Sequence, residues 1–417
     1  MRIRDLSAPI GLMLCLSASA HAQNDMFSRD QNVSVLERPR PEYDSQGVRL
    51  GSWDLRPSLG ASVVYSDNVL ATQSNKQSDL ITRISPNVSL SSDWGRHSLG
   101  GSVGIVSRFY AESDGEDSTD FIASVGGGLD ITQGASSYFR AEYFDGTEER
   151  GASRFAASTT EPIEYSIVSG EIGGAYVRSQ VRFQGFVRSD NFDFEDGLTD
   201  TGLVVDQDNR DRSDTTVQAR ADYALSPDTS FLIRVETVNV SYDSNLGVDR
   251  DQQQFKFDGG VDFDLSELVR GLIALGYFEN SPDDSSLAVS SGLNVDANVE
   301  WFLSPITTAT FSASRTTRAS SLSGGTSATS EQFEARIDHE LLRNLLLRAS
   351  ASVADSSFQN IDRSDSRTSL SFGGTYLLNR SVALNLNLSS SELNSSGLQS
   401  QPDFVDNRIT FGVTLRR

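Results

Sequence analysis

With 417 residues, 57 of them acidic and 35 basic, the chain carries a formal net charge of −22, which repels a nucleic-acid polyanion instead of attracting one. The single cysteine, Cys15, excludes a disulfide framework. Glycine is plentiful at 33 and proline scarce at 10, a balance that suits strands over helices, and no apolar run reaches the roughly 20 residues of a spanning helix.

The chain opens with Arg2 and Arg4, an apolar run from Ala8 to Leu16, and the small-residue ending Ala20-His21-Ala22. This order predicts a secretory signal peptide over residues 1–22, cleaved before Gln23; the run is too brief to remain as a membrane anchor. Residues 23–49 are polar and interrupted by proline, and read as a periplasmic extended segment. Their composition favours a solvated tail over a lumen plug or a partner contact.

Residues 50–417 repeat one unit, seen most plainly in the hairpin from Thr215 to Tyr242. Val217, Ala219, Ala221 and Tyr223 alternate with Gln218, Arg220 and Asp222; Phe231, Ile233 and Val235 alternate with Arg234 and Glu236. A period of two sends apolar and polar side chains to opposite faces of a strand, and Ser226-Pro227-Asp228-Thr229 has the chemistry of a tight turn. Leu232, Val238 and Val240 fall on the polar phase, which predicts a bulge or register change near Thr237.

Short turns recur near Gly95, Gly134, Ser179, Pro227, Glu267, Pro305, Arg343 and Asn379, spaced 36 to 48 residues apart. Each interval holds a hairpin and a longer polar loop, so the pattern predicts an all-β protein: a transmembrane antiparallel up-and-down β-barrel of about 18 strands, with 16 as the alternative count. Arms of about ten residues suffice to cross a bilayer when tilted. Both chain ends then lie on the short-turn, periplasmic side, and Tyr65, Phe109, Tyr110, Phe121, Tyr143, Tyr242 and Tyr277 are expected in a girdle at the loop side.

The face opposite lipid carries the lumen-lining candidates Arg140, Glu142, Arg182, Arg188, Arg220, Asp222, Arg234, Glu236, Lys256, Glu334 and Arg336. An interior of this strand count is too wide for side chains to fill, so both signs of charge line water and offer a path to a hydrophilic solute. Arginine's forked donors suit carboxylates and hydroxyls, as on an acidic sugar polymer.

Catalysis is not expected. Beyond the leader only His97 and His339 remain, both beside short turns, where neither could serve a nucleophile at the outer leaflet. No cofactor is expected, and no metal: Asp206, Asp208, Asp211 and Asp214 match a calcium loop only loosely, with Arg210 where an oxygen ligand belongs. Polar loops such as AESDGEDSTD read as solvated surface.

The words Arg38-Pro39-Arg40-Pro41-Glu42-Tyr43-Asp44, Gly47 to Ser52, Pro57-Ser58-Leu59, Tyr65 to Thr72, Ile84-Ser85-Pro86 and Trp94-Gly95-Arg96-His97 resemble the start of the putative outer-membrane beta-barrel porin-2 family. The resemblance implies a bacterial outer-membrane barrel, often found among exopolysaccharide synthesis and export genes, with no catalytic residues. It implies as partners outer-membrane lipid and lipopolysaccharide, the barrel assembly machinery, and exopolysaccharide or its export apparatus. Three functions follow as expectations: assisted passage of a hydrophilic polymer, a general small-solute diffusion porin, and a structural or adhesive surface barrel. The family usage departs at the C-terminus, where Leu415-Arg416-Arg417 stands in place of the terminal aromatic usual for such barrels.

Overall fold

The computed structural model describes residues 26–27, 29, 32–152, 159–199, 201–244, 248–265, 268–320, 322 and 324–417. The expected leader and the turn residue Glu267 lie outside them. Alternating sequence gives strands: β1 (Val48–Leu50), β2 (Trp53–Ser66), β3 (Asp79–Ser92), β4 (Ser98–Tyr110), β5 (Ser118–Thr132), β6 (Ala135–Thr147), β7 (Glu164–Arg178) and β8 (Val181–Phe194). A small hairpin, β9 (Gly197–Leu198) and β10 (Val204–Val205), sits in the next loop. Then follow β11 (Arg212–Ser226), β12 (Thr229–Tyr242), β13 (Gln252–Leu265), β14 (Val269–Pro282), β15 (Ser290–Ser304) and β16 (Thr307–Ala319). The last are β17 (Ser327–Leu342), β18 (Leu345–Phe358), β19 (Ser364–Leu377), β20 (Val382–Ser396) and β21 (Phe404–Arg416).

Neighbouring strands pair antiparallel in sequence order, and β2 pairs β21 from Ser58↔Arg416 to Ser66↔Arg408. That seam closes an 18-strand barrel; β1 is a short addition to β2, and β9–β10 stands apart. The barrel strands run from 13 to 16 residues, longer than the ten or so expected, so they extend past the hydrocarbon. Among the described residues no helix is long and apolar enough to cross a membrane.

The outer face is apolar. On β12 and β14, Phe231, Ile233, Ile273, Leu275 and Tyr277 are exposed, while the alternate residues Leu232, Arg234, Ala274 and Phe278 turn inward. Tyr65, Phe109, Tyr143 and Tyr277 ring the outside near the loops, with Phe121 packed beside Tyr143; Tyr176, Tyr223, Trp301 and Tyr376 form a second ring near the turns. Two aromatic belts bounding an aliphatic band match the two interfaces of a bilayer.

Two expectations fail in detail. Pairing of β12 with both neighbours runs unbroken through Thr237, so no bulge lies there. Val238, Val240 and Tyr242 point inward and form a buried cluster with Ala319, which is why apolar residues occupy the polar phase. Tyr242 thus leaves the girdle: it is buried, donates to the Ser320 carbonyl at 2.8 Å and carries the Arg250 guanidinium over its ring. Tyr110 likewise sits on the inner phase of β4, in electrostatic reach of Arg108 and Arg408.

Leu275 stands near the middle of β14, exposed on the outer face. Leu275→Arg is expected to destabilise the membrane-inserted barrel by roughly 2–4 kcal/mol, read by urea unfolding in lipid vesicles, whereas Asn298→Arg on the opposite, inner phase of β15 leaves the midpoint nearly unchanged.

Candidate conduit and its two ends

The lumen has two unlike walls. From β6 to β17 it is ionic, and every lumen-lining residue expected from sequence lies on this wall. Arg182 meets Asp222 at 3.2 Å; Arg220 meets Asp222 at 2.6 Å and Asp262 at 3.3 Å. Arg234 bridges Asp258 and Asp296 at 2.9 and 3.0 Å, and Lys256 pairs with Glu236 at 2.8 Å. Arg188 holds Asp190, and Arg336 holds Asp338. Arg140 faces Glu171 in register, Glu142 lies in electrostatic reach of Arg188 and Arg140, and Glu334 stands between Ser312 and Ser352.

Arg220 and Arg234 are directly opposed across β11 and β12. Like charges so placed repel, and the four carboxylates of Asp222, Asp258, Asp262 and Asp296 offset that. The guanidinium groups are therefore largely occupied by the wall itself.

From β18 round to β5 the middle of the inner face is almost uncharged and small. Ser371 donates to Asn387 at 2.8 Å, Thr375 to Asn385 at 3.0 Å, Asn385 to Thr414 at 3.1 Å, and the Ser102 and Ser124 hydroxyls meet at 2.8 Å. Short side chains leave room, and hydroxyl and amide groups can exchange hydrogen bonds with water or a hydroxylated solute.

Arg29 and residues 32–47 do not trail into solvent as the expected tail would. They run along the inside of the turn end as a strap. Arg29 donates to Asp262 and Ser230, Asn32 to Asp264, the Val35 amide to Thr308, and Arg40 to Glu340. Wall arginines in turn donate to strap carbonyls: Arg270 to Asn32, Arg343 to Pro39, Arg380 to Pro41 and Arg416 to Tyr43. Gly47 then turns the strap into β1 at φ +68, where a Cβ would strike Asp54.

At the loop end, an inward apolar cluster of Ile163, Tyr165, Ile167 and Phe194, joined by Phe144 and Phe192, brings Glu148 just after β6 and Ile163 just before β7 inside. Arg210 lies over Phe194 and pairs with Glu148. Arg150 grips Glu116 through two nitrogens at 2.9 and 2.6 Å. Gly151 reaches the far wall, where its carbonyl accepts from Arg367 of β19 and where a Cβ would strike Phe404 of β21 and Ala71. The lumen is thus crossed near its loop mouth.

Sequence reasoning passed over Arg83, Arg108, Arg367 and Arg408, though each falls on the polar phase of its strand. The strap's seat and the crossing have no local signal, since both depend on residues hundreds of positions away. Of the four aspartates weighed as a calcium loop, Asp206 and Asp208 gather with Asp196 as exposed surface carboxylates, and Asp214 faces Arg212 instead. His97 and His339 lie at the turn end, accepting from the Asp130 amide and meeting Thr307 respectively.

A family model described as putative beta-barrel porin 2 matches residues 40–417. Among curated sequences there is no significant match. Solved structures of similar fold include the ferric-catecholate import receptor Fiu from E. coli K12, at 8% identity and TM-score 0.48 over 89% of this chain and 82% of that one. A ferric enterobactin receptor (PfeA) mutant from Pseudomonas aeruginosa gives 8% and 0.47 over 87% and 80%. The copper transporter OprC gives 10% and 0.45 over 89% and 82%.

Asp211, in the loop before β11, has its carboxyl pushed up to about 6 by burial and by Asp193, Asp208 and Asp243, against the Phe194 amide that donates to it. A raised carboxylate holds a proton in the folded loop that the unfolded loop releases near 4, so the loop is most stable below that value and loses stability as pH rises through about 6. Hydrogen exchange over residues 193–214 is expected to quicken from pH 5 to 7 beyond its intrinsic rise, and Asp211→Asn to remove the excess.

Proposed function

The chain belongs to the putative beta-barrel porin 2 family and is an outer-membrane β-barrel, and from that premise we propose that it assists passage of a hydrophilic polymer, an exopolysaccharide, across the outer membrane. The observation that supports this reading is the small, uncharged hydroxyl and amide wall formed by Ser371, Asn387, Asn385, Thr375 and Thr414 opposite the ionic wall. A sugar chain can slide along such groups because each hydrogen bond it makes replaces one to water at little net gain, so this wall does not hold it fast. The ionic wall, most of its charges paired along it, supplies a wet and rigid counter-surface.

In this reading residues 1–22 direct export and are removed, the short turns and the strap face the periplasm, and the protein acts without catalysis or cofactor. Its partners are lipopolysaccharide and lipid outside, the barrel assembly machinery during insertion, and the polysaccharide or its export apparatus inside. The second reading is a small-solute diffusion porin, favoured by the charged lining of both signs.

Deleting the gene is expected to lower polysaccharide on the surface and in the medium and to raise the amount retained in the periplasm, with the intact gene restoring both. Unchanged amounts, together with a large unselective conductance of the purified barrel in planar bilayers, would move the assignment to the small-solute porin.

A further inference from the structure

Beneath the crossing at the loop mouth, four arginines converge from β3, β4, β19 and β21. Arg83 and Arg108 are directly opposed in the antiparallel register, an arrangement that costs stability unless carboxylates intervene. On the ionic wall the same arrangement, Arg220 against Arg234, is met by four aspartates. Of the opposed pair here, only Arg108 has contact partners among the described residues, Asp120 at 2.7 Å and the Ser118 hydroxyl at 3.3 Å. Among the described residues no hydrogen bond or ion pair reaches Arg83, and its Nε is buried.

Arg408 is held by Asp406, and Arg367 by Ser391 and the Gly151 carbonyl. Glu149 on the crossing lies in electrostatic reach of Arg83, Arg367 and Arg408 without closing an ion pair on any of them. Repelling cations retained on a lumen wall, one lacking a counter-ion and three of them in reach of a loop carboxylate that stops short, make a place for an outside anion. The neighbouring wall of serines and asparagines is a surface for hydroxyls.

We propose that Arg83, Arg367 and Arg408 form an anion-binding station that takes the carboxylate of an acidic saccharide while its hydroxyls lie against the Ser371 and Ser389 side of the lumen. Glu149 is the internal competitor: its charge keeps the station weak, so that a bound residue can leave again. The assignment rests on the lumen being a saccharide path but is tested apart from it, since binding by the purified protein does not depend on export in cells.

The experiment is calorimetric titration of the full-length barrel in detergent with trigalacturonate, maltotriose and inorganic phosphate. Trigalacturonate is expected to bind, weakening with added salt, and maltotriose to bind at least about tenfold more weakly for want of the charge-assisted contact. Arg83→Gln is expected to weaken trigalacturonate by about tenfold while leaving heat-modifiable mobility on gels intact or strengthened, because it removes a like-charge pair. Glu149→Gln is expected to tighten it.

Opposite effects of two substitutions at one site separate a binding role from general damage. Equal binding of trigalacturonate and maltotriose, absence of trigalacturonate binding, or affinity unmoved by Arg83→Gln would each overturn the station. Phosphate binding as tightly as trigalacturonate would overturn the saccharide as its ligand. Binding as expected alongside unchanged polysaccharide in the deletion strain would leave the station standing and remove the export role.

Discussion

Hydrocarbon offers no hydrogen bonds, so a chain that crosses it by strands must pair every backbone amide and carbonyl with another strand. The seam between β2 and β21 meets that demand. Closure also fixes the inside from the outside: with no edge left to slip along, a one-residue shift in any strand would place its leucines in the lumen and its arginines in lipid. The separation of aromatic belts and aliphatic band from a polar interior is the result of that lock. The interior is free to vary because the exterior is not.

The interior uses this freedom unevenly. Where charges are dense, between β6 and β17, they are arranged as pairs and triads lying along the wall, with Asp222 and Asp258 almost wholly covered by the arginines that hold them. Breaking such a set leaves a covered charge without a partner, so these residues brace the barrel as much as they wet it. Where side chains are short, at mid-height between β18 and β5, the wall gives up bracing for space. A solute meets a firm side and a slippery side.

Much of this was legible in the chain. The period of two, the eight turns and the strand count needed only local pattern, and the ionic candidates were legible because each sits between outward residues, as Arg234 does between Ile233 and Val235. Other features resist such reading. Val238 and Val240 break the alternation because a buried cluster with Ala319 lies inside the barrel, and a strand does not announce what its inner face will meet. Tyr242 counted as a girdle residue from its position near a loop, when its hydroxyl bonds to Ser320, 78 residues on. The strap has the composition of a solvated tail because the arginines that order it belong to distant strands and grip its carbonyls, which are the same in any sequence.

That strap carries a consequence for timing. Its seat is assembled from the whole second half of the chain, beginning with Ser230 on β12 and ending with Arg380 between β19 and β20 and Arg416 on β21. A segment made before every strand of the barrel is thus the last to find all its partners, because its final ligands do not exist as a surface until β21 has met β2. A barrel with an open seam leaves its strap unclaimed, and a seated strap marks a barrel that has finished.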